Sequence, residues 1–299
     1  MLNLTFILDK KMLQYIVING GEIIQMLIIY NQNDIIVEGV KCLDLELTLD
    51  CGQAFRWKKI HDGIFEGVAG GHYLKIQQQG DTLTFYNTSK ENFENFWINY
   101  FDLNKDYEKI CNTIKQDKII ADTVDRYYGI RILNQDSWEA LCSFVISQQN
   151  NIKRIKLIIE RLCTQYGERL DNGAYTFPTA EQVAHLSEAD WQALGTGYRA
   201  KYLQALAQNV ADGTINLDKI KAMPFEQAKQ ELLGIYGVGV KVASCALLFG
   251  FGFYQSFPVD VWMKRVMQYY PDGLPECFNG VEGIAQQYLF HWARMNKLA

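Results

Sequence analysis

Hydrophobic and polar positions alternate in the first third of the chain. Between residues 26 and 87, short segments rich in Ile, Val, Leu and Phe are separated by Asn, Asp and Gly. This pattern predicts strands of an antiparallel sheet that are joined by tight turns. The predicted strands are MLIIY, DIIVEGV, LELTL, FRWKKI, GIFEGVAG, HYLKIQQQ and DTLTFYN.

Helical spacing of apolar residues replaces this alternation in the rest of the chain. Residues 89–103 predict an amphipathic helix or a turn-rich connector. Further helices are predicted at 106–127, 136–148, 151–166, 179–184, 188–194, 198–211, 224–233, 240–249, 259–269 and 281–295. Strands followed by helices are typical of the α+β class, so we predict an antiparallel β-sheet domain at 26–105 and a helical region at 106–299. Residues 1–25 are either a native leader or an extension preceding a start at Met26.

Composition and net charge exclude several classes of protein. The 299 residues are 48% hydrophobic, enough for a sizeable core, and the net charge of −5 argues against a protein that coats nucleic acid non-specifically. An enzyme with a local basic face remains compatible with that charge. The seven cysteines form no CxxC pair, which indicates reduced thiols and a cytoplasmic location. Neither a zinc site nor a membrane span is predicted, since the four histidines are dispersed and no apolar run approaches about 20 residues.

The stretch from residue 231 to residue 265 carries the candidate chemistry. Gly237 and Gly239 form a short turn between two apolar helical segments, and Lys241 follows in the first turn of the second helix. The free amides at such a helix start bind phosphate. Lys241 is therefore either an amine nucleophile of the Schiff-base type or a surface lysine that touches phosphate. Asp260 follows Pro258 and is predicted to cap the next helix, to steady a developing cation, or both.

This stretch resembles a known signature. The pattern LxxIxGVGxKVA at 232–243, followed by PVD at 258–260, is similar to the helix-hairpin-helix–Gly/Pro–Asp motif of base-excision DNA glycosylases. In that superfamily the lysine marks bifunctional members, which excise a base and then nick the strand through a Schiff base. Only Cys277 remains after Asp260, so the iron–sulfur cluster of endonuclease III cannot be built there. The chain resembles the 8-oxoguanine DNA glycosylase family, as a member of bacterial type.

The resemblance implies a set of base-binding residues. CGQAFRW is similar to the family's sheet-domain motif, in which the glycine carbonyl, here that of Gly52, accepts a hydrogen bond from N7–H of 8-oxoguanine. IAQQYLFHWA is similar to a segment in which Gln286 would bond the Watson–Crick edge of the extruded base and Phe290 would stack on it. Cys245, one helical turn after Lys241, would cover the other face of the base. Taken singly, Cys245 and Phe290 are equally compatible with core packing.

Two further segments imply contacts across the duplex. SFVISQQNNIKRI is similar to the family segment in which an amide side chain, here Gln149, fills the gap left by the flipped base. Arg154 of the same segment would read the orphaned cytosine, although its lysine neighbours also allow plain phosphate binding. LGTGYRAKY matches the family stretch in which Tyr198 would be the wedge and Arg199 a second cytosine reader.

The resemblance also implies binding partners for the protein, and the chain differs from the family pattern at two positions. The hairpin glycines Gly237 and Gly239, together with Trp262, would hold DNA phosphate, and a structural monovalent cation is suggested at the hairpin, with no cofactor required. The expected substrate is double-stranded DNA containing 8-oxoguanine, bound by a monomer at the nucleoid. Eukaryotic members carry Asn in place of Gln149 and His in place of Trp262. The alternatives are an alkyl-base DNA glycosylase and a non-catalytic helix-hairpin-helix DNA-binding module.

Overall fold

A computed structural model describes residues 26–296, together with the backbone of two strands at Ile7–Leu8 and Lys11–Tyr15. The prediction for residues 1–25 otherwise lies outside the described residues, and the boundary between residues 105 and 106 stays a prediction. None of the helices in the described part of the chain combines the length and the apolar character needed to cross a bilayer.

Six antiparallel strands from residue 27 onward form the core of one sheet, and the two short N-terminal strands extend it at one edge. The order in space places the second of the six beside the sixth, with the fifth, fourth and third following toward the far edge. In chain order the six strands are Leu27–Asn31, Asp34–Glu38, Trp57–His61, Ile64–Ala69, His72–Gln79 and Thr82–Tyr86.

Strand register follows from a row of buried side chains that crosses the sheet. Phe65 lies opposite Ile76, Ile76 opposite Phe85, and Phe85 opposite Ile35, and all four are buried. A shift of one residue would turn this row toward solvent. A helical segment covers the row with an aromatic cluster, in which the rings of Phe85 and Phe93 lie 5.0 Å apart.

The segment LELTL is a helix, so its prediction as a strand is wrong. The helix spans Leu45–Leu49, and the carboxylate of Asp44 caps it by accepting a hydrogen bond from the amide of Leu47 at 2.9 Å. Its buried residues are Leu45, Thr48 and Leu49, which have helical rather than strand spacing. Five residues with alternating polarity fit either period, and the aspartate cap decides between them.

Helices occupy the chain after the sheet, which confirms the α+β class with a helical region following an N-terminal antiparallel sheet. The helical segment after the last strand runs through Lys90–Asn92, a π-helical turn at Phe93–Trp97 and Ile98–Tyr100. The later α-helices are Tyr107–Ile114, Ala121–Arg126, Ser137–Ile146, Ile152–Tyr166, Ala180–Val183, Glu188–Ala193, Ala200–Ala211, Leu217–Lys221, Phe225–Gly234, Val240–Phe249, Val261–Val266 and Glu282–Met295. Short 3-10 turns lie at Gly197–Arg199, Met267–Tyr269 and Glu276–Phe278.

The observed helices differ from the predicted ones in two regions. The helix expected at 106–127 is two helices, Tyr107–Ile114 and Ala121–Arg126, because Asp117 accepts hydrogen bonds from the amides of Ile119 and Ile120 and starts a new turn. The helix Leu217–Lys221 was not predicted, although Asn216 caps it through the amide of Lys219.

The helical core is centred on two buried helices, Ser137–Ile146 and Val240–Phe249, whose Phe144 and Phe249 rings stack 5.4 Å apart. The loop before the third of the six strands is fixed to this core by the buried amide of Gln53. The amide donates to the carbonyl of Arg131 at 2.7 Å and accepts from the amide of Leu133 at 2.8 Å. These bonds hold the sheet domain's loop beside the helices.

Candidate active site

The hairpin between helices Phe225–Gly234 and Val240–Phe249 uses its two glycines differently. Gly237 has φ of 86°, and a Cβ there would lie 2.2 Å from Cγ of Tyr202. Gly239 has an ordinary φ of −89° and would place a Cβ in open space. The fold therefore requires glycine at 237, whereas at 239 glycine leaves the start of the helix open to a ligand.

Lys241 lies in the first turn of Val240–Phe249, and Asp260 lies at the start of Val261–Val266. The Asp260 carboxylate accepts a hydrogen bond from the amide of Met263 at 2.9 Å, which confirms the predicted capping role. Lys241 is exposed while the residues that follow it are buried. A bound ligand, rather than the protein core, would therefore be needed to remove water from this amine.

A cavity of about 440 Å³ lies between the sheet domain's loop, the hairpin helix and the last helix. Among the residues that line it are seven that the sequence singled out: Gly52, Lys241, Cys245, Asp260, Trp262, Gln286 and Phe290. The chain thus brings together the predicted nucleophile, the predicted carboxylate and all four predicted base-binding residues. Such a concave site with a few polar groups is typical of a small-molecule or base pocket.

The pKa of the Cys245 thiol is affected by burial and by two charged residues of this cavity. Burial raises the pKa of its thiol to about 12, while the positive charge of Lys241 lowers that pKa and the negative charge of Asp260 raises it. The thiol is thus protonated near neutral pH and lines the cavity as a small apolar group. A nucleophilic role for this cysteine does not fit the site.

Opposite walls of the cavity come from distant parts of the chain. Gly52 has φ of 92°, which favours glycine, and a Cβ there would lie 3.6 Å from Cδ1 of Ile152. Phe290 is half-buried on the last helix, with the guanidinium of Arg294 5.7 Å from its ring centroid. Gln286, one turn earlier, is buried. Trp262 stacks with the guanidinium of Arg265 at 5.2 Å.

The residues expected to contact the opposite strand lie outside the cavity lining. Tyr198 is 46% exposed, and its hydroxyl donates to the carbonyl of Gln148 at 3.5 Å. Gln149 is exposed and has φ of 46°, a left-handed conformation directly after the end of helix Ser137–Ile146. Arg154 is exposed and donates to the carbonyl of Gly195 at 3.2 Å.

Arg199 differs from these because it is 4% exposed. Its guanidinium donates to the carbonyls of Gln148, Gln149 and Thr196. The Gln148 side chain in turn donates to the carbonyl of Gly237 at 2.9 Å, which joins this group to the hairpin. Four of the five N–H donors of the guanidinium are thus engaged within the protein.

Sequence reasoning missed two buried amides in the cavity lining, Gln53 and Gln287. Both are buried, Gln53 in the loop beside Gly52 and Gln287 beside Gln286. The glycine and glutamine neighbours were singled out in each case, but no periodicity marks a glutamine as buried. Across the described residues there is no group of three or more His, Cys, Asp or Glu side chains that could hold a metal ion.

Comparison with known proteins agrees with this geometry. The family model for the 8-oxoguanine DNA glycosylase N-terminal domain matches residues 35–141, and that for the HhH-GPD superfamily of base excision DNA repair proteins matches residues 142–271. An N-glycosylase/DNA lyase of Saccharomyces cerevisiae is 31% identical over 254 residues, which are 75% of this chain and 67% of the yeast protein. The chain belongs to the 8-oxoguanine DNA glycosylase family.

Two further relatives are similar to this chain in sequence, and one of them also in structure. The N-glycosylase/DNA lyase OGG1 of Arabidopsis thaliana is 29% identical over 77% of this chain and 67% of its own length. The solved structure of the Clostridium acetobutylicum 8-oxoguanine glycosylase/lyase, bound to double-stranded DNA with cytosine opposite 8-oxoguanine, is 36% identical with a TM-score of 0.85. It aligns over 90% of this chain and 98% of that one. Membership of a bacterial type stays a prediction, since the relatives include plant and yeast proteins.

Proposed function

We propose that this protein is a bifunctional DNA glycosylase and AP lyase of base-excision repair, which removes 8-oxoguanine from duplex DNA and then nicks the strand. The observation that carries the proposal is the cavity, which collects the exposed amine of Lys241, the Asp260 carboxylate and the predicted walls of a base site. A non-catalytic DNA-binding module would have no use for a reactive amine at the mouth of such a cavity.

Extrusion of the damaged nucleotide is the first step. C1′ is out of reach inside a stacked duplex, so the nucleotide must turn out of the helix and the gap must be filled. The exposed ring of Tyr198 fits the wedge and the exposed amide of Gln149 fits the plug. Arg154 would read the orphaned cytosine with its free N–H groups, and Arg199 would add the one donor that it has left.

Recognition of the base would rest on Gly52. Its carbonyl would accept N7–H of 8-oxoguanine, whereas guanine presents a lone pair at that position and would leave the carbonyl unpaired. Such an unpaired polar contact costs about 1–3 kcal/mol, so extrusion and catalysis must supply further discrimination. Cys245 and Phe290 would cover the two faces of the base, and Gln286 would bond its Watson–Crick edge.

The chemistry would follow at Lys241. The neutral amine attacks C1′, and the bond from C1′ to N9 breaks with its electron pair leaving on the base, which takes up a proton. Opening of the sugar ring gives an iminium at C1′, and loss of a proton from C2′ then expels the 3′ phosphate oxygen. The Asp260 carboxylate stabilises the cationic transition state and orients the amine.

The hairpin would anchor the strand without reading its sequence. The open space at Gly239 and the free amides of the following helix suit a phosphate, with Trp262 nearby in the cavity. No cofactor is required. A monovalent cation at the hairpin would fit only backbone carbonyls, because the side chains of residues 235–239 provide no oxygen except the Tyr236 hydroxyl. We further infer that the enzyme acts as a monomer on the nucleoid in the cytoplasm.

Borohydride trapping on duplex DNA containing 8-oxoguanine tests the proposal. The unmodified protein should become linked to the DNA, Lys241→Gln should abolish the link, and Lys221→Gln on an exposed helix should keep it. The absence of any trapped complex with the unmodified protein would overturn the bifunctional assignment. Comparing excision of 8-oxoguanine and 3-methyladenine from matched duplexes separates the proposal from an alkyl-base glycosylase, which would prefer the second.

A further inference from the structure

Two buried thiols from different parts of the fold, Cys42 and Cys111, lie against each other. Their sulfur atoms are 2.9 Å apart, although the cysteines are separated by 69 positions in the chain. Cys42 comes shortly after strand Asp34–Glu38, and Cys111 lies on helix Tyr107–Ile114. Both thiols are free. Since a disulfide holds its sulfurs about 2.05 Å apart, bond formation needs a relative movement of only about 1 Å.

The backbone at Cys42 is held in an unusual conformation. Its φ of 49° lies in the left-handed region, which residues other than glycine rarely adopt. The carbonyl of Cys42 accepts a hydrogen bond from Nε of the buried Arg131 at 2.9 Å, and the carbonyl of Lys41 accepts another from the same guanidinium. Arg131 therefore stabilises the conformation in which the Cys42 sulfur contacts that of Cys111.

The two thiols of the pair differ in acidity. All seven cysteines lie in the described part of the chain, and Cys42 alone has a lowered pKa. The main cause is the hydrogen bond from the Cys111 thiol, which with the charge of Arg131 outweighs burial. Burial raises the pKa of each of the five cysteines outside the pair. Cys42 thus most readily becomes a thiolate, the form that reacts with oxidants.

The Tyr288 hydroxyl lies beside both sulfurs and is oriented by a third group. The amide of Gly129 donates to its oxygen at 3.4 Å, which leaves the hydroxyl proton to point at a sulfur. The oxygen lies 3.4 Å from Sγ of Cys111 and 3.9 Å from Sγ of Cys42. Because Tyr288 belongs to the last helix, the pair lies where the sheet domain meets two helices.

The pair lies just below the protein surface. Cys42 is 3% exposed, but the Lys41 side chain before it is exposed. The side chain of Tyr128, whose hydroxyl bonds to the Cys42 sulfur, is also 40% exposed. Exposed side chains change rotamer rapidly, so rotation of this ring would admit a molecule as small as hydrogen peroxide.

We propose that Cys42 and Cys111 are an oxidation site at which hydrogen peroxide forms a reversible disulfide between the sheet domain and the helical region. The Cys42 thiolate attacks peroxide: a sulfur–oxygen bond forms, the oxygen–oxygen bond breaks and hydroxide leaves. The Cys111 thiol then attacks the sulfenic sulfur of Cys42, and the oxygen departs as water with the thiol proton. The two sulfurs together lose two electrons, which peroxide takes up. Disulfides of reduced compartments are usually transient, redox-sensing bonds of this kind.

Peroxide treatment of the full chain followed by mass spectrometry tests this site. The unmodified protein should lose two hydrogen atoms, and peptide mapping without reductant should find the peptides of Cys42 and Cys111 joined. Dithiothreitol should reverse the change. Cys51 and Cys277 are less buried than the pair but have raised pKa values, so they should react about tenfold more slowly or worse.

Serine variants separate the two steps. In Cys111→Ser the reaction should stop at the sulfenic acid of Cys42, which dimedone traps, because the serine hydroxyl still donates to the thiolate. Cys42→Ser should leave Cys111 unoxidised. Cys142→Ser, at another buried thiol, should form the same disulfide as the unmodified protein.

The bond should also strengthen the junction that it crosses. It would close a loop of about 70 residues, so the oxidised protein should melt about 5 °C or more above the reduced one. An unchanged melting temperature would overturn this stabilising effect. Absence of the joined peptides, or oxidation of Cys51 or Cys277 ahead of the pair, would overturn the oxidation site itself. Neither cysteine lines the base cavity, so borohydride trapping tests the proposed function separately.

Discussion

The two hairpin glycines should fail in different ways when each is replaced by alanine. Gly237→Ala forces a side chain into a left-handed conformation and places its Cβ 2.2 Å from the ring of Tyr202. Gly239→Ala meets no atom within 4 Å and keeps an ordinary φ of −89°. The first change should therefore damage the fold, and the second should damage only the binding of DNA.

The change in the free energy of unfolding can be estimated for each variant from these contacts. At 237 the left-handed backbone costs about 1–2 kcal/mol and the overpacking about 1–3 kcal/mol, which together lower the free energy of unfolding by roughly 2–5 kcal/mol. At 239 alanine is the poorer helix cap by about 0.5–1 kcal/mol. It also reduces the freedom of the unfolded chain by about 0.4–1 kcal/mol, so the net change should stay within roughly 0.5 kcal/mol.

Urea unfolding and fluorescence anisotropy with a duplex containing a stable abasic-site analogue measure the two effects separately. Gly239→Ala should keep its unfolding midpoint and bind DNA about tenfold more weakly or worse, since the added methyl group would keep the phosphate from the amides of the helix start and so remove a charged hydrogen bond. Gly237→Ala should show a lower midpoint. Equal DNA affinity in Gly239→Ala and the unmodified protein would refute the assignment of the open helix start to phosphate.

Further predictions concern stability. Burial raises the pKa of Glu139 to about 7 despite Arg56, whose Nη1 lies 3.7 Å from its carboxylate. Because this folded-state pKa exceeds the unfolded one, the stabilisation is fully present below about pH 4.5 and is lost as the pH rises through 7. In urea unfolding, the unmodified protein should therefore gain stability relative to Glu139→Gln between pH 8 and pH 5, and a pH-independent difference would contradict the burial effect. Gln53→Leu should lower the free energy of unfolding by about 2–4 kcal/mol, since it leaves the Arg131 carbonyl and the Leu133 amide without their partner; calorimetry would contradict this if the melting temperature were unchanged.

Sequence alone predicted the parts of the fold that repeat a period over a long span. Helices such as Ile152–Tyr166 and Ala200–Ala211 lie close to their predicted ranges, because many apolar positions specify one face. The hairpin and its lysine were also identified, since glycine spacing and helix starts are local features. Seven of the residues that the motifs named line one cavity, whereas those expected to contact the opposite strand lie outside it.

What sequence could not predict depended on neighbours distant along the chain. Leu45–Leu49 is too short to define a period, and its buried face is set by contacts such as the Thr48 hydroxyl with the carbonyl of Gly129 at 3.0 Å. The exposure of Lys241 and the burial of Arg199 likewise follow from tertiary packing rather than from their own segments.

The cavity is assembled from both ends of the described chain. Gly52 lies in a loop of the sheet domain, while Gln286 and Phe290 belong to Glu282–Met295, the final helix described. During synthesis the N-terminal parts can fold first, but the cavity lacks one of its walls until this helix has docked. A growing chain therefore displays its hairpin and Lys241 before the cavity beside them is complete.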